Sequence, residues 1–502
     1  MSEHFISRED AGRNMMACAA YLAESIQSGG GRAQAMIAVV PRFLEKGEVD
    51  LAAELANTVD DPFVRDRLLI AVAEKCASAD DDEYAMQLVA AMDDPGLQSQ
   101  GREKVGLMLA SVGEIDKARS VADMMNHRDN VLAGIAVRQH SDGAIDAAIE
   151  TVGEIGFPAA AAHAFVTMAA AAIEKGDAEQ AVDVLERSLG PAEEIEHEEE
   201  RIRTLTDIAN SFLAAGRNDR AIEVFDRARE HSDALGNVHR DNFLSAIALG
   251  FLRAGSLDLA DRTLDLVQDK TQIATALLGF AREFWTRGEK TEALDALDEA
   301  YAILRSQRES ETRDSKARFA RYADIAIQYA GFEKGERGIE IAHEIIDEEV
   351  SMKALAQIAR ILLVQRNDAI AQQALNDIPD NEHRMFALVV LSDTAAANGE
   401  RERAIGFLDE AKALVEEVPQ LASRASAYVE FARRFAKFEE TESRNAAIDR
   451  GLETIAAIRD ESTKAAALVE MAVLTDDLGI DAAESYGEVL DRIVTRSLQQ
   501  SF

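Results

Sequence analysis

The chain has 502 residues, 54 Lys+Arg against 92 Asp+Glu, two Cys, seven Pro and one Trp, with a formal net charge of −38. Hydrophobic residues make up 47%, which excludes a disordered chain. The acidity argues against a nucleic-acid binder, which needs cationic side chains to displace counterions from phosphate, and Cys18 and Cys76 alone make neither a disulfide framework nor a cysteine zinc site.

At the N-terminus an apolar patch, Met15 to Ala23, follows Glu3, Glu9 and Asp10, the wrong charge for the basic start of a signal peptide. The patch reads as an amphipathic first helix. No apolar run reaches the roughly 20 residues that span a bilayer, so a cytoplasmic protein with no membrane contact is expected. Gly29-Gly30-Gly31 lacks the Gly-Lys-Ser/Thr of a phosphate loop and reads as a hinge. These features divide the chain into an N-terminal helix and hinge over 1–31, a continuous array over 32–480, and a capping helix over 481–502. In that last segment Leu490 and Val494 alternate with Glu488, Asp491 and Arg492, a polar-faced cap.

An internal repeat dominates everything between. Its signature is an apolar residue and Ala, then Gly, then Ala: Met168-Ala169/Gly176/Ala181, Ile208-Ala209/Gly216/Ala221, Ile247-Ala248/Gly255/Ala260 and Phe280-Ala281/Gly288/Ala293. The Gly and second Ala recur at Gly47/Ala52, Gly113/Ala118 and Gly399/Ala404, with degenerate copies at Asp80/Ala85, Gly143/Ala148 and near Asn367, Phe438 and Gly479. Leu205, Ile208, Ala209 and Phe212 fall on one helical face. Gly ends that helix, because the position after it wants a left-handed backbone. Ala221, Phe225 and Ala228 then begin a second helix, and the pair Ala209 and Ala221 lets the two approach closely.

Successive markers lie 33 apart at Gly47–Asp80 (80 − 47), Asp80–Gly113, Gly143–Gly176 and Gly255–Gly288, but 40 apart at Gly176–Gly216 (216 − 176), 39 at Gly216–Gly255 (255 − 216) and 47 at Gly288–Gly335 (335 − 288). An excess of about seven is close to two helical turns, so it lengthens a helix without rotating its apolar face. Longer helices are therefore expected around Gly190–Glu200 and Leu304–Lys316. Prolines at Pro62, Pro95, Pro158, Pro191 and Pro379 read as punctuation between hairpins. About thirteen hairpins fit between Arg32 and Ser497.

The residues Leu205, Ile208, Ala209, Phe212, Ala221, Phe225 and Ala228, and again Leu277, Phe280, Ala281, Phe284, Ala293, Leu297 and Ala300, resemble the tetratricopeptide (TPR) repeat, with its large, small and aromatic positions in that order. The match runs from Ala164 to Leu304 and again from Leu388 to Ala411. The resemblance implies an all-α fold, an α-solenoid coiled as a right-handed superhelix. Its first helices would line a concave groove for a partner protein or peptide.

Chemistry-bearing patterns are sparse. His343-Glu344 with Asp347 lacks the second His of a metalloprotease helix, and His197-Glu198-Glu199 has no following cysteine pair. No catalytic residue, metal site or cofactor is expected. A basic residue recurs eight positions before the small residue of the first helix, as Arg128, Arg201, Arg240, Arg384, Arg424 and Lys464, and is expected to brace the preceding helix end. One position after the small residue come Arg282, Arg360 and Arg433, with Asn210 as the equivalent and Arg203 two turns earlier. Trp285 follows Arg282 by one turn. In the resembled family this position faces the groove. Arg203, Asn210, Arg282, Trp285, Arg360 and Arg433 are therefore the candidate partner-binding residues, suited to carboxylates or phosphates held bidentately. The expected function is a non-enzymatic interaction scaffold or adaptor for a protein or peptide partner, acidic in character, with self-association left open. The alternative is a peptide-sensing regulator or chaperone-like adaptor, ahead of an enzyme.

Overall fold

A computed structural model describes residues 4–236, 239–306 and 315–500. Among them are 28 α-helices, one short 3-10 turn at Val415–Glu417 and no strand. From Gly29–Glu45 onward the helices read as thirteen consecutive pairs. The chain forms an all-α, TPR-like repeat solenoid. It divides into two compact units. One joins the described residues up to Leu109 with those from Ile378 onward, and the other runs from Ala110 to Asp377.

The local signals explain the hairpins. Several first helices open on aspartate caps: Asp61 accepts from the Val64 amide, Asp347 from Val350 and Asp380 from His383. They close on a left-handed residue, Gly at 47, 113, 143, 176, 216, 255, 288, 399 and 479. The alanine pairs Ala169/Ala181, Ala209/Ala221, Ala248/Ala260 and Ala281/Ala293 are all fully buried. With only a methyl on each side, helix axes come close enough for the flanking Phe212, Phe225 and Phe251 to be sealed from water.

Four non-glycine residues also take the left-handed turn: Asp80, Glu333, Arg366 and Glu439. This corrects the register near Gly335, which does not mark a turn. Gly335 instead opens a second helix and lies against the Leu362 side chain. With Glu333 as the marker, the steps become 45 (333 − 288), then 33 to Arg366, 33 to Gly399, 40 to Glu439 (439 − 399) and 40 to Gly479.

Step length follows the second helix. In 33-residue steps that helix has 8 or 9 residues, as at Leu257–Leu264, Val49–Asn57, Ile145–Gly153 and Asp368–Asn376. In longer steps it has 17, as at Ala178–Glu194, Asn218–Ala234, Lys290–Ser306 and Thr441–Ala457, or 14 continued by the 3-10 turn, at Arg401–Leu414. The expected lengthening near Gly190–Glu200 is thus present as far as Glu194, and the next helix begins at Glu198. Pro191 does not separate hairpins; it lies inside the lengthened helix, in its last turn. The site expected at Leu304–Lys316 falls partly outside the described residues; the helix before it ends at Ser306.

In the unit from Ala110 to Asp377, each first helix from Asp129–Ser141 to Glu348–Val364 packs on the next first helix. Among its described second helices, only Gly335–His343 and Asp368–Asn376 come comparably near each other. The first helices thus form one continuous layer of this unit.

The other unit brings the two chain ends together. The Glu461–Asp477 helix packs on Leu421–Lys437 before it, and also on Met15–Ser25 and Gly29–Glu45. Ala482–Gln500 packs on Thr441–Ala457, Met15–Ser25 and Arg8–Ala11. The segment expected as a terminal cap therefore has the N-terminal helices against it. Gly29-Gly30-Gly31, expected as a hinge, form the first turn of Gly29–Glu45, where the Ser28 hydroxyl caps the Gly31 amide.

The left-handed turns give a paired prediction. Glu439 holds φ 60° against steric cost, so Glu439→Gly is expected to stabilise the fold by about 1 kcal/mol. Gly216 holds φ 73°, so Gly216→Ala is expected to destabilise it by about 1 kcal/mol. Urea unfolding midpoints of the two variants should move in opposite directions.

Candidate functional site

The six candidate residues all stand on first helices: Arg203 and Asn210 on Glu198–Ala214, Arg282 and Trp285 on Lys270–Arg287, Arg360 on Glu348–Val364, and Arg433 on Leu421–Lys437. Five lie in the unit from Ala110 to Asp377; Arg433 lies in the other. Arg203, Arg282 and Arg360 are exposed, and among the described residues no hydrogen bond or ion pair is made by their guanidinium groups. Glu283, beside Arg282, is taken by Arg287 at 3.0 Å and Arg253 at 3.9 Å. Arg433 differs, because Glu430 pairs with it at 2.6 Å. Its neighbour Arg434 is held by Asp393 at 2.7 Å and by Glu430.

Trp285 is held by partners other than Arg282. It stacks on Phe332 with ring centres 4.4 Å apart, and Lys290 lies over its ring at 4.6 Å. Lys290 in turn pairs with Glu333 at 3.1 Å. The Asn210 amide donates to the Thr206 carbonyl at 2.9 Å. Arg203 lines an open cleft of about 440 Å³ with His197, Glu198, Glu199, Glu200 and Leu235. Nearby Asp207 is half-buried, and burial raises its carboxyl above the ordinary range while His163 and Arg203 pull it back.

Three of the six recurring basic residues brace helix-end carbonyls. Arg201 donates to the Ile195 carbonyl at 2.9 and 2.6 Å. Arg240 reaches the Leu266 carbonyl at 2.9 Å, and Arg424 reaches those of Glu416, at 2.7 Å, and Val418. Arg128, Arg384 and Lys464 stay local, on Asp123, Asn381 and Glu461. Helix C-termini carry partial negative charge, so these cations are structural.

Sequence reasoning missed the partner of that brace. Asp66 is fully buried and accepts from the amides of Asp93, at 3.0 Å, and Asp94, at 3.2 Å. Asp129 accepts from Gly156 and Phe157, and Asp241 from Gln268 and Asp269. Each ties down the loop that leads into the next first helix. The signal was the Arg-Asp dipeptide at 65–66, 128–129 and 240–241, visible only once the loops are placed.

Among the described residues no group of three or more His, Cys, Asp or Glu side chains is placed to hold a metal ion. His343 pairs with Asp377 at 2.9 Å, and Glu344 accepts from the Tyr301 hydroxyl at 2.6 Å, so both have structural partners. No described helix is long and apolar enough to cross a membrane.

His140 is 5% exposed, and neither ring nitrogen has a hydrogen-bond partner. Burial, reinforced by Lys175, holds its pKa below the ordinary value. The unfolded chain takes up this proton near pH 6.5. The stability from neutral His140 is therefore complete above that value and is lost as pH falls toward the lower folded one. Wild type is expected to lose more stability than His140→Leu between about pH 7.5 and about pH 5.5; equal losses in urea titrations would contradict this.

No protein-family profile and no curated protein sequence matches the chain. Solved structures do resemble it. Ton1535 from Thermococcus onnurineus NA1 is 16% identical, with 71% of this chain and 98% of that chain covered, at a TM-score of 0.26. A putative kinesin light chain of Podosopora anserina with nearly identical TPR-like repeats is 18% identical over 45% of this chain and 100% of that chain, at a TM-score of 0.25. Human IFIT1, solved as a dimer with PPP-AAAA, is 13% identical over 82% of this chain and 96% of that chain, at a TM-score of 0.28. Similarity at this level carries no functional information.

Proposed function

We propose that the protein is a non-enzymatic interaction scaffold of the cytoplasm that binds an acidic segment of a partner protein on the first-helix layer of the unit from Ala110 to Asp377. One observation carries this reading: Arg203, Arg282 and Arg360 are exposed and uncommitted on that layer, within a chain of net charge −38. Acids abound in this chain, yet among the described residues Arg282 and Arg360 make no ion pair, and Arg203 makes none although Asp207 and the glutamates of its cleft lie near it. Each presents a planar fork of donors that fits a carboxylate bidentately. The strongly negative remainder of the surface repels a polyanion elsewhere and so favours this layer.

The six residues contribute unequally in this proposal. Arg282 and Arg360 are the main contacts. Arg203 is offset by the three glutamates of its cleft, and Asn210 flanks it. Trp285 offers only what its stack on Phe332 leaves open. Arg433 must first release Glu430.

Affinity capture from the source lysate with the full chain and its Arg203/Arg282/Arg360→Glu variant, read by mass spectrometry, tests the proposal. Partners recovered by the wild type should disappear with the variant, while helicity by circular dichroism stays unchanged. Arg433→Glu alone should keep them. Retention of the same partners by the triple variant would contradict this reading.

A further inference from the structure

The face that joins the two chain ends has a surface chemistry of its own. On one side lies Met15–Ser25, with Met15, Met16 and Cys18 sealed from water. On the other lies Glu461–Asp477, with Met471 and Leu474 sealed and Thr475 contacting the Met15 sulfur at 3.7 Å. Four polar contacts set the register. Ser462 donates to Gln34 at 3.3 Å, Lys46 pairs with Asp476 at 2.6 Å, and Arg8 reaches Thr495 at 3.2 Å and Asp491 at 4.0 Å.

No covalent bond crosses this seam. The 11-residue Met15–Ser25 helix is too short to be stable in water by itself, where isolated helices need about 12–15 residues, so it depends on the surface it covers. The seam also buries charge. Lys464 is 3% exposed with Glu461 as its partner, and the second oxygen of Glu461 has no hydrogen bond. A half-buried carboxylate with one sealed, unpartnered oxygen costs free energy and lowers the work of opening.

We propose that the seam is an interaction surface for a second copy of this chain, with the C-terminal hairpin of one copy taking the N-terminal helices of another. The complementarity is already built, because every contact made within the chain is available between chains. An unrelated apolar helix would fill the groove but would leave Lys46, Gln34 and Arg8 unmatched. The equilibrium is then a matter of concentration. Within one chain the ends meet at a local concentration set by the array that joins them, independent of the bulk protein concentration. Closed monomers dominate in dilute solution, and exchanged copies grow with protein concentration.

The test uses two full-length variants with different affinity tags, Lys46→Cys and Asp476→Cys, mixed and treated with a short bismaleimide. Burial pushes the native thiols up, Cys18 to about 12 and Cys76 to about 11, so neither competes at neutral pH. The double variant in a single chain should cross-link internally, which confirms the seam and the fold. In the mixture, a doubly tagged species of about twice 54.7 kDa should form, its share of the protein rising roughly tenfold when dilute protein is concentrated tenfold. An internal product without any doubly tagged dimer across that range would overturn the exchange. No internal product from the double variant would remove the seam, and the proposal with it. Neither outcome touches the arginine layer in the other unit, so the two proposals fail separately.

Discussion

Everything in this chain depends on how closely one helix can lie against the next. Second helices of 9 residues do not persist alone in water. They persist because their apolar faces are covered by neighbouring helices: Ala52 and Ala148 are fully buried on theirs, just as Ala209 and Ala221 are where the longer Asn218–Ala234 helix seals Phe212 and Phe225 from water. A larger side chain at either alanine would hold the axes apart and leave those rings in water. The left-handed residue between the helices fixes the angle at which they meet. Where that residue is Glu439 or Arg366 rather than glycine, packing overrides the local steric cost.

The same logic explains the charges. A stack of hairpins exposes helix ends and connecting loops at every step, and each loop holds backbone groups that need partners. Arg201, Arg240 and Arg424 satisfy carbonyls at helix ends. Asp66, Asp129 and Asp241 satisfy amides one loop further on. Much of the ionic chemistry is therefore architecture, which is why exposed arginines without an ion pair on the first-helix layer carry meaning.

Much of the fold was legible in the sequence, because its signals are local. The spacing of alanines and glycines gave the hairpins, and the excess of seven gave the longer second helices. Legibility failed where a signal depended on what packs nearby. Gly335 looked like a turn but is a glycine because Leu362 lies against it. Pro191 looked like punctuation but is absorbed by a lengthened helix. Gly29 to Gly31 looked like a hinge, yet Ser28 caps them into a helix. The candidate site was half legible. Helical phase placed Arg282 and Arg360 on one layer, but only side-chain positions reveal that Trp285 belongs to Phe332 and Arg433 to Glu430.

The central claim is that each helix is held by its neighbours in space, including neighbours at the far end of the sequence. Hydrogen exchange on full-length Thr475→Asp tests this most directly, since Thr475 is 1% exposed and contacts Met15. The account predicts that amides of Met15–Ser25 lose protection, although they lie at the opposite end of the chain, while those between Ala110 and Asp377 keep theirs. Unchanged protection over Met15–Ser25, with loss confined to the residues around 475, would contradict it.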